Sequence, residues 1–249
     1  MEGHFIKENV IDLGLLNELN LEILRELNSF LEKNNYIGGL ASGHLNAYIG
    51  KKNVDKVYKE LSKTNLFQEI ESFFKVDLDD YHLTVGCNVN LPNSVNQHIH
   101  RDTNFEDNKI LINIPCIDVN EVNGSLEVYP GTHTYPYSYF EFLIKRFTPV
   151  RLNSSCGDVI VRDSNLFHRG MKNNSSSARS MLCYTFTKKE LINFSETDLE
   201  LTNKIEFFEN WYQTSPLGKF KEFIFIYIPF IRDLKRIIFS LLKKRGTST

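Results

Sequence analysis

Apolar residues recur every three or four positions through the first part of the chain. After about residue 80 they come in short β-rich runs. Leucines and isoleucines from Leu13 to Leu31 lie on one face of an amphipathic helix. The spacing predicts a second helix over Val54 to Phe74. The later runs are Tyr81–Val89, Lys109–Pro115, Ser125–Tyr129, Asp158–Arg162 and Ser180–Thr187, separated by Gly, Pro, Asn and Ser. Asn123-Gly124 between two such runs is a hairpin signal. Helices followed by many short strands predict a mainly β fold with flanking helices, a double-sheet jelly roll. The domain is expected over residues 1–217, with a helical N-terminal part at 1–79 and a jelly-roll core at about 80–190.

A different pattern follows Pro229. Phe230, Ile231, Leu234, Ile237, Ile238, Leu241 and Leu242 share one helical face, and Phe239 lies off it. Arg232, Lys235, Arg236, Lys243, Lys244 and Arg245 oppose one acid, Asp233, for a local net charge of +5. Residues 218–249 therefore read as a basic amphipathic helical extension. Two readings are open: the helix packs on the domain by its apolar stripe, or residues 223–245 lie on an anionic membrane surface. The nearly all-apolar run Phe223–Phe230 would deepen the second contact.

Composition narrows the function classes. The chain has 249 residues, 41% apolar and 24% charged, with a net charge of −2. That fits one large globular domain and gives no field that favours nucleic acid. Cys87, Cys116, Cys156 and Cys183 are scattered with no C-x-x-C pair, which argues against a disulfide framework or a structural zinc site. Reduced thiols suit a cytoplasmic protein. Met1–Gly14 carries acids and lacks an apolar core, so it does not read as a signal peptide. No uncharged apolar run approaches the roughly 20 residues that cross a bilayer.

Chemistry concentrates in Gln97-His98-Ile99-His100-Arg101-Asp102. On an extended strand, residues two apart point to the same side, so His100 and Asp102 offer an imidazole and a carboxylate to one point. His168 follows the strand-like run Asp158–Arg162 and supplies a second imidazole. Two histidines and one carboxylate form the facial triad of iron(II) oxygenases. Arg179 lies eleven residues beyond His168, with the Asn173–Ser177 turn midway. If that turn closes a hairpin, His168 and Arg179 stand side by side on paired strands. A guanidinium there grips a carboxylate through two parallel hydrogen bonds.

These residues resemble the phytanoyl-CoA dioxygenase family of 2-oxoglutarate oxygenases. The likeness is carried by His100-Arg101-Asp102, by Asn123-Gly124-Ser125-Leu126 with Pro130-Gly131-Thr132-His133, by Gly157-Asp158 through His168, and by Arg179. It covers roughly residues 80 to 190. It implies a double-stranded β-helix, cupin-like fold, with iron(II) held by His100, Asp102 and His168, and with 2-oxoglutarate and dioxygen as co-substrates. Arg179 is implied to hold the far carboxylate of 2-oxoglutarate, and Asn88 and Asn113 are further candidates for contacting it, with Asn90 behind them. Where many members place an aromatic before the H-x-D, this chain has Ile99. Related halogenases lack the carboxylate supplied here by Asp102, so the resemblance implies hydroxylation or desaturation. The substrate class stays open among small molecules, lipid-linked compounds and glycans.

Other residues carry two readings each. His98 is either a neighbour of the metal ligands or simply solvated. His133 ties a turn rather than acting in chemistry, and Gly124 and Gly131 are turn glycines with positive φ. Arg162 and Asp163 form an internal ion pair at a strand end or contact substrate. Tyr135, Tyr137, Tyr139 and Phe140 line a substrate mouth or form an aromatic surface flap. A cupin-type hydrolase or isomerase, built on His98, His100 and Glu106, and a non-catalytic binding protein are the alternative functions.

Overall fold

The computed structural model describes residues 2–33, 43–103, 105–107, 109–191, 202–208 and 215–228, together with 231, 233 and 234. Its strands are β1 (His4–Lys7), β2 (His44–Tyr48), β3 (Tyr81–Asn90), β4 (Ile110–Pro115), β5 (Leu126–Val128), β6 (Val150–Leu152), β7 (Val159–Asp163), β8 (His168–Gly170), β9 (Arg179–Lys188) and β10 (Glu206–Phe207). The helices are α1 (Leu13–Lys33), α2 (Lys51–Ser62), α3 (Leu66–Phe74), α4 (Tyr139–Lys145) and α5 (Pro216–Tyr227). A seven-stranded sheet runs β1-β7-β4-β9-β3-β2-β10, and a three-stranded sheet runs β6-β5-β8. This is the jelly roll that the pattern of short runs predicts.

Strand alternation divides the large sheet into two faces. Leu45, Ala47, Cys87, Val89, Leu182 and Tyr184 point outward and pack with Leu16, Leu19, Ile23 and Leu27 of α1 in one core. The intervening residues, His44, Asn46, Asn88, Asn90, Arg179 and Met181, face a pocket between the sheets. The register places Asn90 opposite Arg179 and Asn88 opposite Met181 on the inner face. A second, smaller apolar layer of Val128, Leu152, Ile160 and Leu166 fills the interior beside it.

Several sequence expectations are corrected. The part expected to be helical, 1–79, also contributes β1 and β2 to the large sheet, β1 against β7 and β2 against β3. These strands are short, and their alternation is easily lost beside the long helical stripes. The expected helix over Val54–Phe74 is two helices. Thr64 breaks it, its hydroxyl donating to Leu61 O at 2.8 Å and accepting from Leu66 N–H at 3.2 Å. Asn123-Gly124 does not close a hairpin, because β4 lies in the large sheet and β5 in the small one. The boundary expected after residue 217 falls inside α5, which Pro216 starts at its first turn.

The basic C-terminal stretch lies largely outside the described residues, including Arg232 and everything from Lys235 onward. Within the described part, the Asp233 carboxylate accepts from Tyr139 N–H at 2.9 Å and Phe140 N–H at 3.1 Å, capping the start of α4. No helix among the described residues is long and apolar enough to cross a membrane.

Candidate metal centre

His100, Asp102 and His168 meet. One ligand atom from each lies within 4.8 Å of the others. The contact is built by backbone pairing: His100 and His168 exchange N–H···O bonds of 2.9 Å in both directions, an isolated antiparallel bridge. His168 starts β8, and Asp102 follows two residues after His100, as the i, i+2 spacing predicts.

The donor atoms are oriented for a metal. His100 Nδ1 sits 2.8 Å from His98 O, and His168 Nδ1 sits 2.9 Å from Leu166 O. Each Nδ1 carries the proton and donates it to a carbonyl, which leaves each Nε2 with a free lone pair. Both Nε2 atoms face Asp102 Oδ1, at 3.7 Å for His100 and 3.4 Å for His168. His98 thus supports a ligand through its carbonyl.

Electrostatics keep these groups in metal-binding form. Burial, with the neighbouring His168, lowers His100 to about 4, so its imidazole is neutral at ordinary pH. Burial alone would raise Asp102, but His168, Arg162 and His100 outweigh it and hold the carboxyl well below the usual range. Two imidazoles and one carboxylate are the donor set that suits iron(II).

The pocket beside the triad holds about 220 Å³ and is lined by His44, Asn46, Asn88, Asn90, Gln97, Asn113, Leu126, Arg162, Arg179 and Met181, among others. Among the described lining residues Asp102 is the one acid, against two arginines. Arg179 is 5% exposed, and its Nη2 donates to Gly124 O at 3.0 Å. Its Nε is buried with no hydrogen-bond partner, and no described carboxylate pairs with it. Burial lowers it to about 10, so it remains charged. A buried, incompletely bonded guanidinium facing a metal donor set fits a carboxylate ligand.

Arg179 reaches this pocket by a different route from the one expected. The Asn173–Ser177 turn closes no hairpin; β8 pairs with β5, and β9 lies between β4 and β3. The turn carries the chain from one sheet to the other, so His168 and Arg179 face each other across the barrel. Gly124 serves this arrangement. At φ 89° its Cβ would collide with the Asn90 amide and the Met171 carbonyl, and its own carbonyl holds Arg179. Gly131 also has positive φ, 83°, in an open turn.

The other candidates fall as follows. Asn88 and Asn113 both line the pocket. Asn88 donates to Asn46 Oδ1 at 2.5 Å, while Asn113 Oδ1 accepts from Arg162 Nε at 3.0 Å. Asn90 donates to Met171 O at 2.8 Å. Thr132, not His133, ties the P-G-T-H turn: its hydroxyl donates to Tyr129 O at 2.7 Å and accepts from Phe167 N–H at 2.9 Å. His133 packs against Gly3 instead. Asp158 anchors the N-terminal segment, accepting from Asn9 N–H at 3.1 Å and Ser155 N–H at 2.7 Å.

Tyr137 and Tyr139 join an aromatic cluster with Tyr129, Phe142, Phe147 and Phe167, outside the pocket lining, whereas Tyr135 and Phe140 are exposed. That is the flap reading. Arg101 stacks on Phe167, 4.3 Å from the ring centroid, and so ties the H-x-D strand to this cluster. The expected Arg162–Asp163 ion pair is absent among the described residues. Arg162 pairs with Asp102 instead, Nη1 to Oδ2 at 2.8 Å. Asp163 lies on the other face of β7 and accepts from Asn165 N–H at 2.8 Å. Sequence reading also missed His44, Asn46 and Gln97 in the pocket. Alternation of Leu45 and Ala47 with polar neighbours was the available signal for the first two.

The phytanoyl-CoA dioxygenase family profile matches residues 45–181, more than half of the chain. The chain belongs to the phytanoyl-CoA dioxygenase family. Membership makes it an oxidoreductase of the dioxygenase type that uses iron and 2-oxoglutarate, in keeping with the His-Asp-His donor set. Similar solved structures share the fold. AviO1 from Streptomyces viridochromogenes Tue57 is 18% identical with a TM-score of 0.61, over 77% of this chain and 92% of that one. The epimerase SnoN from nogalamycin biosynthesis, described as a non-haem α-ketoglutarate-dependent enzyme, is 15% identical with a TM-score of 0.57, over 75% and 79%. EvdO2 from Micromonospora carbonacea var. aurantiaca, solved with 2-oxoglutarate, is 13% identical with a TM-score of 0.51, over 75% and 86%.

Proposed function

We propose that this member of the family is an iron(II)- and 2-oxoglutarate-dependent dioxygenase that hydroxylates an unactivated carbon of a small-molecule substrate. His100, Asp102 and His168 hold the metal, and Arg179 holds the far carboxylate of 2-oxoglutarate. The observation that carries this reading is Arg179 itself, a buried guanidinium with an unbonded Nε and no acidic partner among the described residues, in the same pocket as the donor set. Iron, when bound, supplies oxygen activation coupled to conversion of 2-oxoglutarate to succinate and carbon dioxide.

The protein's residues bind, orient and exclude water. Two imidazoles and one carboxylate would hold the metal and leave coordination positions for exogenous ligands. The two arginines make the pocket positive and suit a dianionic keto acid. Asn88 stands on the same wall, where its amide, already donating to Asn46, would border the bound keto acid. No general acid or base is required of the lining, since the chemistry belongs to the metal and its co-substrate. The structurally similar SnoN and SnoK are described as an epimerase and a carbocyclase. Asp102, which fills the position that a halide would need, supports oxygen insertion rather than halogenation here.

For the substrate and location, the exposed face of α5 is informative. Leu217, Phe220 and Phe223 are 70%, 60% and 47% exposed, just before the basic stretch that reaches Arg245. This combination supports peripheral attachment to an anionic membrane from the cytoplasmic side, and with it a lipid-linked or glycan substrate. Free thiols at all four cysteines support the same compartment.

The test is turnover. Succinate release from 2-oxoglutarate, with iron(II) and air, is measured against panels of lipid-linked sugars, free glycosides and small acids. A substrate-stimulated rate with a product 16 mass units heavier, about one oxygen atom, is the expected result. No metal-dependent consumption of 2-oxoglutarate with any substrate would sink the enzyme reading. Flotation with anionic vesicles, lost when residues after Leu217 are deleted, tests the location.

A further inference from the structure

The buried Arg162 stands behind the metal donor set, and nothing in the family motif calls for it. Its position is the next inward one on β7 after Ile160, which packs among Val128, Leu152 and Leu166. An apolar residue would continue that layer. A guanidinium only 4% exposed is costly there unless a strong partner compensates.

The partner is specific. Arg162 Nη1 donates to Asp102 Oδ2 at 2.8 Å, a charge-assisted bond of normal length. The other oxygen, Oδ1, is the one turned toward both imidazole Nε2 atoms, at 3.4 and 3.7 Å. Asn113 fixes the guanidinium from behind, its Oδ1 accepting from Arg162 Nε at 3.0 Å. Arg162 Nη1 also lies 3.5 Å from His168 Nδ1, but that nitrogen already donates to Leu166 O. The approach is therefore contact between two donors, and the directed bond is the one to Asp102.

A carboxylate can ligate a metal through one oxygen or chelate through both. Chelation by Asp102 would occupy a coordination position that the keto acid or dioxygen needs. The two oxygens of Asp102 are divided between two tasks. We propose that Arg162 is a positioning residue: with Asn113 it holds Asp102 Oδ2 and confines the carboxylate to single-oxygen ligation through Oδ1, keeping a coordination position open for exogenous ligands. The proposal rests on the metal-centre reading above and deepens it. It also gives Asn113 a role through Arg162.

The experiment reads the ligation mode directly, on the full chain. Infrared difference spectra of aspartate-labelled protein with and without zinc(II) give the separation of the two carboxylate stretches. The wild type is expected to show the wide separation of one-oxygen ligation. Arg162→Met should shift it to the narrow separation of chelation while zinc stays bound. In the same variant loaded with cobalt(II), 2-oxoglutarate affinity should fall about tenfold or more. Arg162→Lys, which keeps a charged donor, should retain the wide separation.

A chelating signature in the wild type overturns the proposal, as does one-oxygen ligation that persists in Arg162→Met. If Arg162→Met does not fold, Arg162→Gln takes its place with the same two outcomes. Chelation in a wild type that still binds 2-oxoglutarate defeats this inference and leaves the oxygenase reading standing. A wild type that binds no divalent metal defeats both.

Discussion

His100 and His168 are hydrogen-bonded to each other through their backbones, each N–H donating to the other's carbonyl at 2.9 Å. Two proposed metal ligands far apart in sequence are thereby fixed in relative position before any metal arrives. The side chains meet because strands meet. His100→Ala, Asp102→Ala and His168→Ala should each abolish turnover and remove tight iron(II) binding while the fold persists. Metal titration followed by circular dichroism checks both halves. Full activity in Asp102→Ala would contradict the ligand assignment.

Asp158 belongs to the family motif but accepts two backbone N–H groups, from Asn9 and Ser155. Its job is to anchor the N-terminal segment against the loop before β7. Asp158→Ala should cost about 1–3 kcal/mol of stability through the two unsatisfied donors. Iron(II) affinity in the surviving folded protein should be near that of the wild type. A chemical denaturation curve and a metal titration separate the two effects. Loss of metal affinity without loss of stability would assign Asp158 to the site.

Gly124 couples backbone conformation to the proposed keto-acid site, because its carbonyl accepts from Arg179 Nη2 at 3.0 Å and its φ is 89°. Gly124→Ala places a Cβ against Asn90 and Met171. The turn must move and take the carbonyl with it. The expected result is about 1–3 kcal/mol of destabilisation from the strained turn, with weaker 2-oxoglutarate binding and intact metal binding. Unchanged 2-oxoglutarate affinity would show that the carbonyl does not position Arg179.

His44 lies on the pocket wall with Nε2 2.6 Å from Val95 O. Burial, against the raising effect of that carbonyl and with help from Arg179, lowers it from 6.5 to about 4. The folded protein therefore keeps His44 neutral where the unfolded chain takes up a proton. Its contribution to stability is complete above 6.5 and is lost as pH falls from 6.5 toward about 4. Thermal unfolding of the metal-free protein should decline across that window, and His44→Gln should flatten part of the decline. A melting temperature independent of pH there would refute the buried neutral state.

The meeting of His100 and Asp102 was legible because i, i+2 spacing on a strand is a local rule. His100 and Asp102 share a side whatever the rest of the chain does. Arg179 was legible as a residue but not as a route. Nothing local to Asn173–Ser177 reveals that the chain changes sheets there, and eleven residues fit a hairpin as well as a crossing. Arg162 was hidden for a related reason. The sequence offers it the adjacent Asp163 or a substrate as partner, while its actual partner Asp102 lies in a distant loop. β1 and β2 were missed because four- and five-residue strands are short beside the helical stripe of α1.

The central claim is that one pocket holds both a metal, on His100, Asp102 and His168, and 2-oxoglutarate, on Arg179. The most direct measurement is anaerobic absorption of the purified full chain with iron(II) and 2-oxoglutarate, beside the Arg179→Ala variant. The account predicts a weak visible charge-transfer band from keto-acid chelation in the wild type. In Arg179→Ala the same band should require about 30-fold or more 2-oxoglutarate, as removal of one partner of a buried charge pair implies. An iron-loaded wild type that gives no band at any 2-oxoglutarate concentration would contradict the account, and so would an Arg179→Ala titration that overlays the wild type.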